Sequence, residues 1–164
     1  MTPIPIVRRP VSESDLPFIF QLYASTRAAE LAMTPWTLEQ KHAFLVMQFQ
    51  AQTAGYASAF PEATHEIVTV DGRPVGRVFL ARLSDSLRIL DITIAPESRN
   101  TGIGSALIRE ILVEAERASL PVTIYVESFN PSRHLFERCG FQVASQDGFQ
   151  LYLERPAPHA NTAL

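Results

Sequence analysis

The chain predicts an α/β domain, a mixed and largely antiparallel twisted sheet of about six or seven strands flanked by about four helices. Three observations carry this. An apolar run, Leu90-Asp91-Ile92-Thr93-Ile94, stops at Pro96, which cannot donate to a ladder. It passes through Gly102 and Gly104 into a segment whose apolar residues Ile103, Leu107, Ile111 and Ala115 recur at helical spacing. Upstream, strand-like segments are joined by turns too short for crossovers, so they pair antiparallel. Downstream, the β-branched and aromatic run Val122-Thr123-Ile124-Tyr125-Val126 is reached through a helix, which makes it parallel to the strand before that helix.

Residues 4–9 read as a first strand. Ser12, Glu13, Ser14 and Asp15 supply capping groups, and Leu16, Phe20 and Tyr23 begin a helical stripe expected to end near residue 27. Residues 28–35 show no period. Thr37-Leu38-Glu39-Gln40 is a capping box followed by Phe44, Met47 and Ala51, so a second helix is expected to end near residue 54. Residues 65–70 alternate as a strand, Asp71-Gly72 is a hairpin turn, and residues 75–83 are the returning strand. Ser84-Asp85-Ser86 then turns the chain into the strand that holds Asp91. The third helix carries Arg109, Glu110, Glu114, Glu116 and Arg117 as an ordinary wet face. Asn130, biased out of the helical region by Pro131, caps a short fourth helix. Asp147-Gly148 is expected to turn a last hairpin between residues 141–145 and 149–154. Residues 156–164 read as a flexible tail after a single domain of residues 1–155.

A length of 164 residues with 46% hydrophobic content suits one core and is short for two domains. The net charge of −3 and a pI near 5.8 offer no basic face to nucleic acid. Apolar runs are too short to span a membrane, and Met1-Thr2-Pro3-Ile4-Pro5 lacks the regions of a signal peptide, so the expected location is cytoplasmic. The single cysteine, Cys139, excludes an intrachain disulfide. It reads as a small buried hydrophobe and not as a reactive thiol.

A strand that runs through a glycine turn into a helix leaves several backbone N–H groups unpaired and pointing one way, where the helix dipole adds positive partial charge. The lack of a Cβ at Gly102 and Gly104 is expected to let a phosphate approach the backbone closely. Such turns also occur for packing alone. The spacing excludes the dinucleotide fingerprint, which needs a third glycine where this chain has Leu107, and a Walker loop, which needs a Gly-Lys-Ser/Thr end.

The motif Arg99-Asn100-Thr101-Gly102-Ile103-Gly104, after a strand ending Ile-x-Pro, resembles the acetyl-CoA pyrophosphate loop of the GNAT acyltransferase superfamily. Asn130-Pro131-Ser132-Arg133-His134-Leu135-Phe136-Glu137-Arg138-Cys139-Gly140-Phe141 resembles that family's second signature, and the two cover roughly residues 87–145. The resemblance implies acetyl-CoA as cosubstrate, no metal, and transfer of the acetyl group to a primary amine by direct attack in a ternary complex. The acceptor, a small molecule or a peptide or protein amine, is unidentified. It also implies that the two parallel strands splay at their C-terminal ends and offer backbone groups to the pantetheine arm. Implied coenzyme contacts are the Ile92 and Ile94 N–H groups at the thioester carbonyl, Arg99, Asn100, Thr101, Gly102, Ile103, Gly104 and Ser105 in the loop, and Asn130 and Phe136 beside the pantetheine. The first two helices would wall the acceptor pocket, with Glu30, Trp36, His42 and Tyr56 as candidate contacts. Read singly, Trp36 is a packing anchor, and Glu30 and His42 are solvated surface. The expected partners are acetyl-CoA and an amine acceptor, without nucleic acid or membrane; a homodimer is left open.

Direct attack needs a base for the amine proton, donors for the developing oxyanion and an acid for the thiolate. Asp91 and Glu127 are the carboxylates nearest the expected split. Alternation sets Asp91 on the face of Thr93, and Glu127 on the face of Tyr125 and Thr123. Either is equally a strand-end residue bonded to local backbone. Many family members carry a Tyr four residues before the glycine of the second signature, where this chain has Phe136, a ring that packs but cannot donate a proton. Tyr125, Tyr152, Ser128 or water could take that role, or the reaction runs without a dedicated acid. A non-catalytic acyl-CoA-binding or regulatory module on the same fold is the alternative that Phe136 motivates.

Overall fold

The computed structural model describes residues 4–158. Its strands are β1 (Ile6–Pro10), β2 (Thr64–Val70), β3 (Arg73–Arg82), β4 (Leu87–Ile94), β5 (Val122–Glu127), β6 (Gln142–Asp147) and β7 (Gln150–Arg155). The helices are α1 (Leu16–Ala32), α2 (Leu38–Ala59), α3 (Ile103–Ala118) and α4 (Ser132–Arg138). The seven strands form one sheet in the order β1-β2-β3-β4-β5-β7-β6. All pairs are antiparallel except β4 with β5, which are parallel because α3 crosses over between them.

Local chemistry accounts for most of the boundaries. Asp71 and Gly72 both have positive φ, at 52° and 77°, the backbone that a two-residue hairpin between twisted strands requires. The capping box of α2 forms as expected: Gln40 N–H donates to Thr37 Oγ1 at 3.1 Å, and Thr37 N–H donates to Gln40 Oε1 at 2.9 Å. Several boundaries differ from the sequence reading, those of β2 and β3 by only one or two residues. The first strand begins at Ile6. Helix α1 runs on to Ala32 and α2 to Ala59, through alanine-rich turns whose helix propensity needs no apolar period. The last hairpin turns at Gly148-Phe149, one residue later than expected, with Gly148 at φ 60° in the first turn position. The tail expected from residue 156 lies largely outside the described residues.

The main core is on one face of the sheet. Ile103, Leu107, Ile108, Ile111 and Ala115 of α3 are buried against Val68, Val78, Leu80, Ile89, Ile124, Leu151 and Leu153. Four large aliphatic side chains at about 1.5–3 kcal/mol each make α3 the principal anchor of the sheet. The opposite face is covered by α1, through Ile19, Leu22 and Tyr23, and by α2, which has no fully buried residue in its 22. Aromatic edges hold α2 down: Phe49 packs on Phe20 and Tyr23, and Tyr56 on Phe79.

Candidate active site

β4 and β5 pair at three positions, Leu87 with Val122, Arg88 with Thr123 and Ile89 with Ile124, and then part. Beyond that point β4 continues to Ile94 and β5 to Glu127 without pairing to each other, so a wedge opens in the middle of the sheet. A bulge between Ile89 and Asp91 in the ladder with β3 marks the point where β4 bends away.

The ladder fixes which backbone groups face the wedge. Ala95 N–H donates to Val75 carbonyl at 2.8 Å, so Ala95 points toward β3. Residues in an antiparallel ladder alternate, so Thr93 also points toward β3 while Ile94 and Ile92 direct their N–H and C=O groups into the wedge. On the other side, Ser128 N–H donates to Phe149 carbonyl at 2.6 Å, which by the same alternation turns Glu127 and Tyr125 toward the wedge. Both walls thus offer backbone groups to an extended guest. Two of these groups are already engaged: the Ile94 carbonyl accepts from Arg99 Nε at 3.0 Å, and the Glu127 carbonyl accepts from Asn130 N–H at 2.9 Å.

At the top of β4 the chain passes through Pro96, Asn100 at φ 61° and Gly102 at φ 87° into α3. Among the described residues none of the N–H groups of residues 100–105 has an acceptor; the first bond of the helix is Ala106 N–H to Gly102 carbonyl, at 3.0 Å. Asn100, Thr101, Gly102, Ile103, Gly104 and Ser105 therefore form an arc of free donors at a helix N-terminus, suited to a pyrophosphate. The glycines also meet neighbours within the protein. A Cβ on Gly104 would point at Leu135 Cδ2 of α4, 3.0 Å away, and one on Gly102 at Ile4 Cδ1, also 3.0 Å away. The glycines serve close packing and, at Gly102, a left-handed backbone. Arg99 turns away from the arc toward α1, where Nη2 donates to Ser25 Oγ at 3.2 Å.

The two candidate bases have unlike surroundings. Asp91 lies on the face covered by α1 and α2, in an ion pair with Arg77, and its second oxygen accepts from Thr93 Oγ1 at 2.9 Å. Arg77 is 3% exposed, donates to Gln52 Oε1 at 3.2 Å and lies over the Phe49 ring. Glu127 is exposed and has no side-chain partner among the described residues. Nearby, Tyr56 donates to the Leu90 carbonyl at 2.9 Å, and burial, with Asp91 second, pushes its hydroxyl up to about 12. Burial, with Arg77 second, pushes the His65 imidazole down to about 4, and its ring stacks on Phe79.

Of the other candidates, Asn130 Oδ1 accepts from Ser132 N–H at 2.9 Å and caps α4. Phe136 is 3% exposed and packs edge-on against Phe141 within the main core. Cys139 is half-buried, and burial pushes its thiol up, as suits an inert side chain. Tyr56 reaches the sheet next to the wedge. Glu30 is paired with Arg27, His42 is exposed against Phe20, and Trp36 packs on Phe44. The sequence reading missed Arg77 and Gln52. An arginine amid the apolar residues of a central strand must find a partner, and that was the available signal.

A family model described as an acetyltransferase (GNAT) domain matches residues 40–143. No curated protein matches the chain significantly. Among solved structures, the PaiA N-acetyltransferase of Thermoplasma acidophilum in complex with coenzyme A aligns with a TM-score of 0.67 at 17% identity, covering 93% of this chain and 99% of that one. An acetyltransferase of Thermus thermophilus aligns at 0.66 and 16% identity, covering 95% and 99%. The ribosomal-protein-S18-alanine N-acetyltransferase of Escherichia coli aligns at 0.61 and 19%, covering 98% and 99%. At these identities the likeness is one of fold. Among the described residues no helix is long and apolar enough to cross a membrane, and no cluster of His, Cys, Asp and Glu could hold a metal ion.

Proposed function

The chain belongs to the GNAT acetyltransferase family, and from that membership we propose that it transfers the acetyl group of acetyl-CoA to a primary amine by direct attack in a ternary complex. The observation that carries this reading is the wedge between β4 and β5, with the Ile92 and Ile94 backbone groups turned into it and the free N–H arc of residues 100–105 beside it. In this reading the arc holds the pyrophosphate and the wedge takes the pantetheine arm as an extra strand. Arg99 acts as a brace between the loop and α1, and Asn130 orders the start of α4 beside the arm.

The amine nitrogen attacks the thioester carbonyl carbon, an N–H group of β4 receives the developing oxyanion, and the C–S bond breaks. Glu127 takes the amine proton, directly or through one water. It is favoured over Asp91, whose two oxygens are engaged by Arg77 and Thr93. The thiolate takes its proton from water or from a hydroxyl other than residue 136, because Phe136 has none.

Thiol release from acetyl-CoA in the presence of an amine panel tests the reading; free amino acids, polyamines, aminoglycosides and peptide N-termini are to be included. Thermal shift with acetyl-CoA, ATP and NAD runs alongside. Stabilisation by acetyl-CoA together with amine-dependent thiol release supports transfer. Stabilisation without release by any amine favours the non-catalytic module.

A further inference from the structure

Arg88 sits at the last paired stretch of β4 and β5, just below the wedge, on the sheet face opposite α3. Its guanidinium carbon is 5.1 Å from the centroid of Tyr125 and 5.5 Å from that of Tyr152, rings that themselves lie 4.8 Å apart. Nε donates to Thr123 Oγ1 at 2.7 Å, and Nη2 reaches the Tyr152 hydroxyl at 3.5 Å. Among the described residues no carboxylate comes within ion-pair distance of it, and Nη1 has no protein acceptor. The contrast with Arg77 is sharp, since that cation is buried and neutralised by Asp91.

Arg88 thus has what an anion site requires. Two rings and a threonine hold its side chain in place, so little rotamer freedom is lost when a ligand binds, and its charge is uncompensated. The site is reached from the β5 side: Arg88 is half-buried, and Tyr125 on the neighbouring strand is 50% exposed. Of the nearby acids on this face, Asp91 is paired with Arg77, and Glu127 and Glu154 lie beyond ion-pair distance of Arg88, which leaves it as the attractive point for an anion.

We propose that Arg88 receives an anionic group of the acceptor, so that the amine substrate of this protein carries a carboxylate. The proposal rests on the acetyl-transfer reading above and narrows its substrate class. Four residues of β4 separate Arg88 from Ile92, about 13 Å at ~3.3 Å per residue, less what the bulge removes. An acceptor that touches both points is therefore a chain, with its carboxylate several bonds from the nitrogen, and not a compact α-amino acid.

The test is steady-state kinetics on a ladder of ω-amino acids of increasing length, each beside its primary amide and the alkylamine of equal length, with thiol release as readout. The wild-type protein should prefer the acid over its amide by about tenfold or more in kcat/KM at one intermediate length, the scale of a single charge-assisted hydrogen bond. In Arg88→Gln the acid and the amide should converge while the KM for acetyl-CoA stays the same. Equal rates for acid and amide in the wild type overturn the proposal and leave acetyl transfer standing, as does a preference that survives in Arg88→Gln. If no amine of any class is acetylated, the transfer reading and this proposal fall together. If Arg88→Gln does not fold, the wild-type ladder decides alone.

Discussion

Asp91 and Arg77 form an ion pair across β4 and β3 beneath the helix-covered face of the sheet, and Thr93 takes the second carboxylate oxygen. Removing one partner leaves the other charge without compensation, so Asp91→Asn should cost about 3 kcal/mol and Arg77→Met a similar amount. The double variant should lose clearly less than the sum of the two. Urea denaturation of all four proteins checks this; strict additivity would free Asp91 from its structural role and return it to candidacy as the base.

Glu127→Gln should do the opposite. With no partner to lose, it should stay within about 0.5 kcal/mol of the parent in stability. Its kcat should fall about 10²-fold, and the acid limb of the pH–rate profile should flatten. Acetyl-CoA affinity, measured by calorimetry, should not change. A wild-type rate across the pH range would place the base elsewhere.

His65 links stability to pH. Its folded value, about 4, lies below its ordinary 6.5, so the folded state binds fewer protons than the unfolded chain between those values. The contribution is fully present above pH 6.5 and is lost as pH falls from 6.5 toward 4. His65→Phe keeps a ring against Phe79 and removes a buried Nε2 that has no partner among the described residues. Melting temperatures from pH 4 to pH 8 should show a shallower decline in this variant than in the parent.

Gly104→Val should reduce both coenzyme affinity and stability, the latter by about 1–3 kcal/mol, because the new side chain meets Leu135. In a Leu135→Ala background the stability cost should shrink while the affinity loss remains. Melting curves and acetyl-CoA titrations on the same proteins separate the two effects.

Phe136→Tyr tests whether a lost acid can be restored. The ring is buried in the main core, so the new hydroxyl should cost about 1–3 kcal/mol for want of a partner, with no gain in kcat. A faster protein of unchanged melting temperature would show instead that the hydroxyl reaches the sulfur.

The strand-turn-helix at residues 87–118 was legible because its determinants are local: Pro96 ends pairing, Gly102 supplies a left-handed residue, and the stripe from Ile103 to Ala115 has one period. The face shared by Asp91 and Thr93 followed from alternation, and the two do bond. What joins distant segments was hidden. Nothing near Asp91 announces Arg77, fourteen residues earlier on the neighbouring strand, or Gln52 on α2. The far ends of α1 and α2 were missed because alanines favour helix without marking a buried side. The contrast between Asp91 and Glu127 is likewise a matter of partners, which two carboxylates in a sequence do not reveal.

β7 lies between β5 and β6 although it is made after both. During synthesis β5 therefore waits for its antiparallel neighbour until residues 150–155 have left the ribosome. A nascent chain arrested before Gln150 would carry a strand whose outer edge is unpaired and rich in Val and Ile, an arrangement that invites strand addition by another chain. One wall of the wedge is thus the last part of the domain to gain its neighbour.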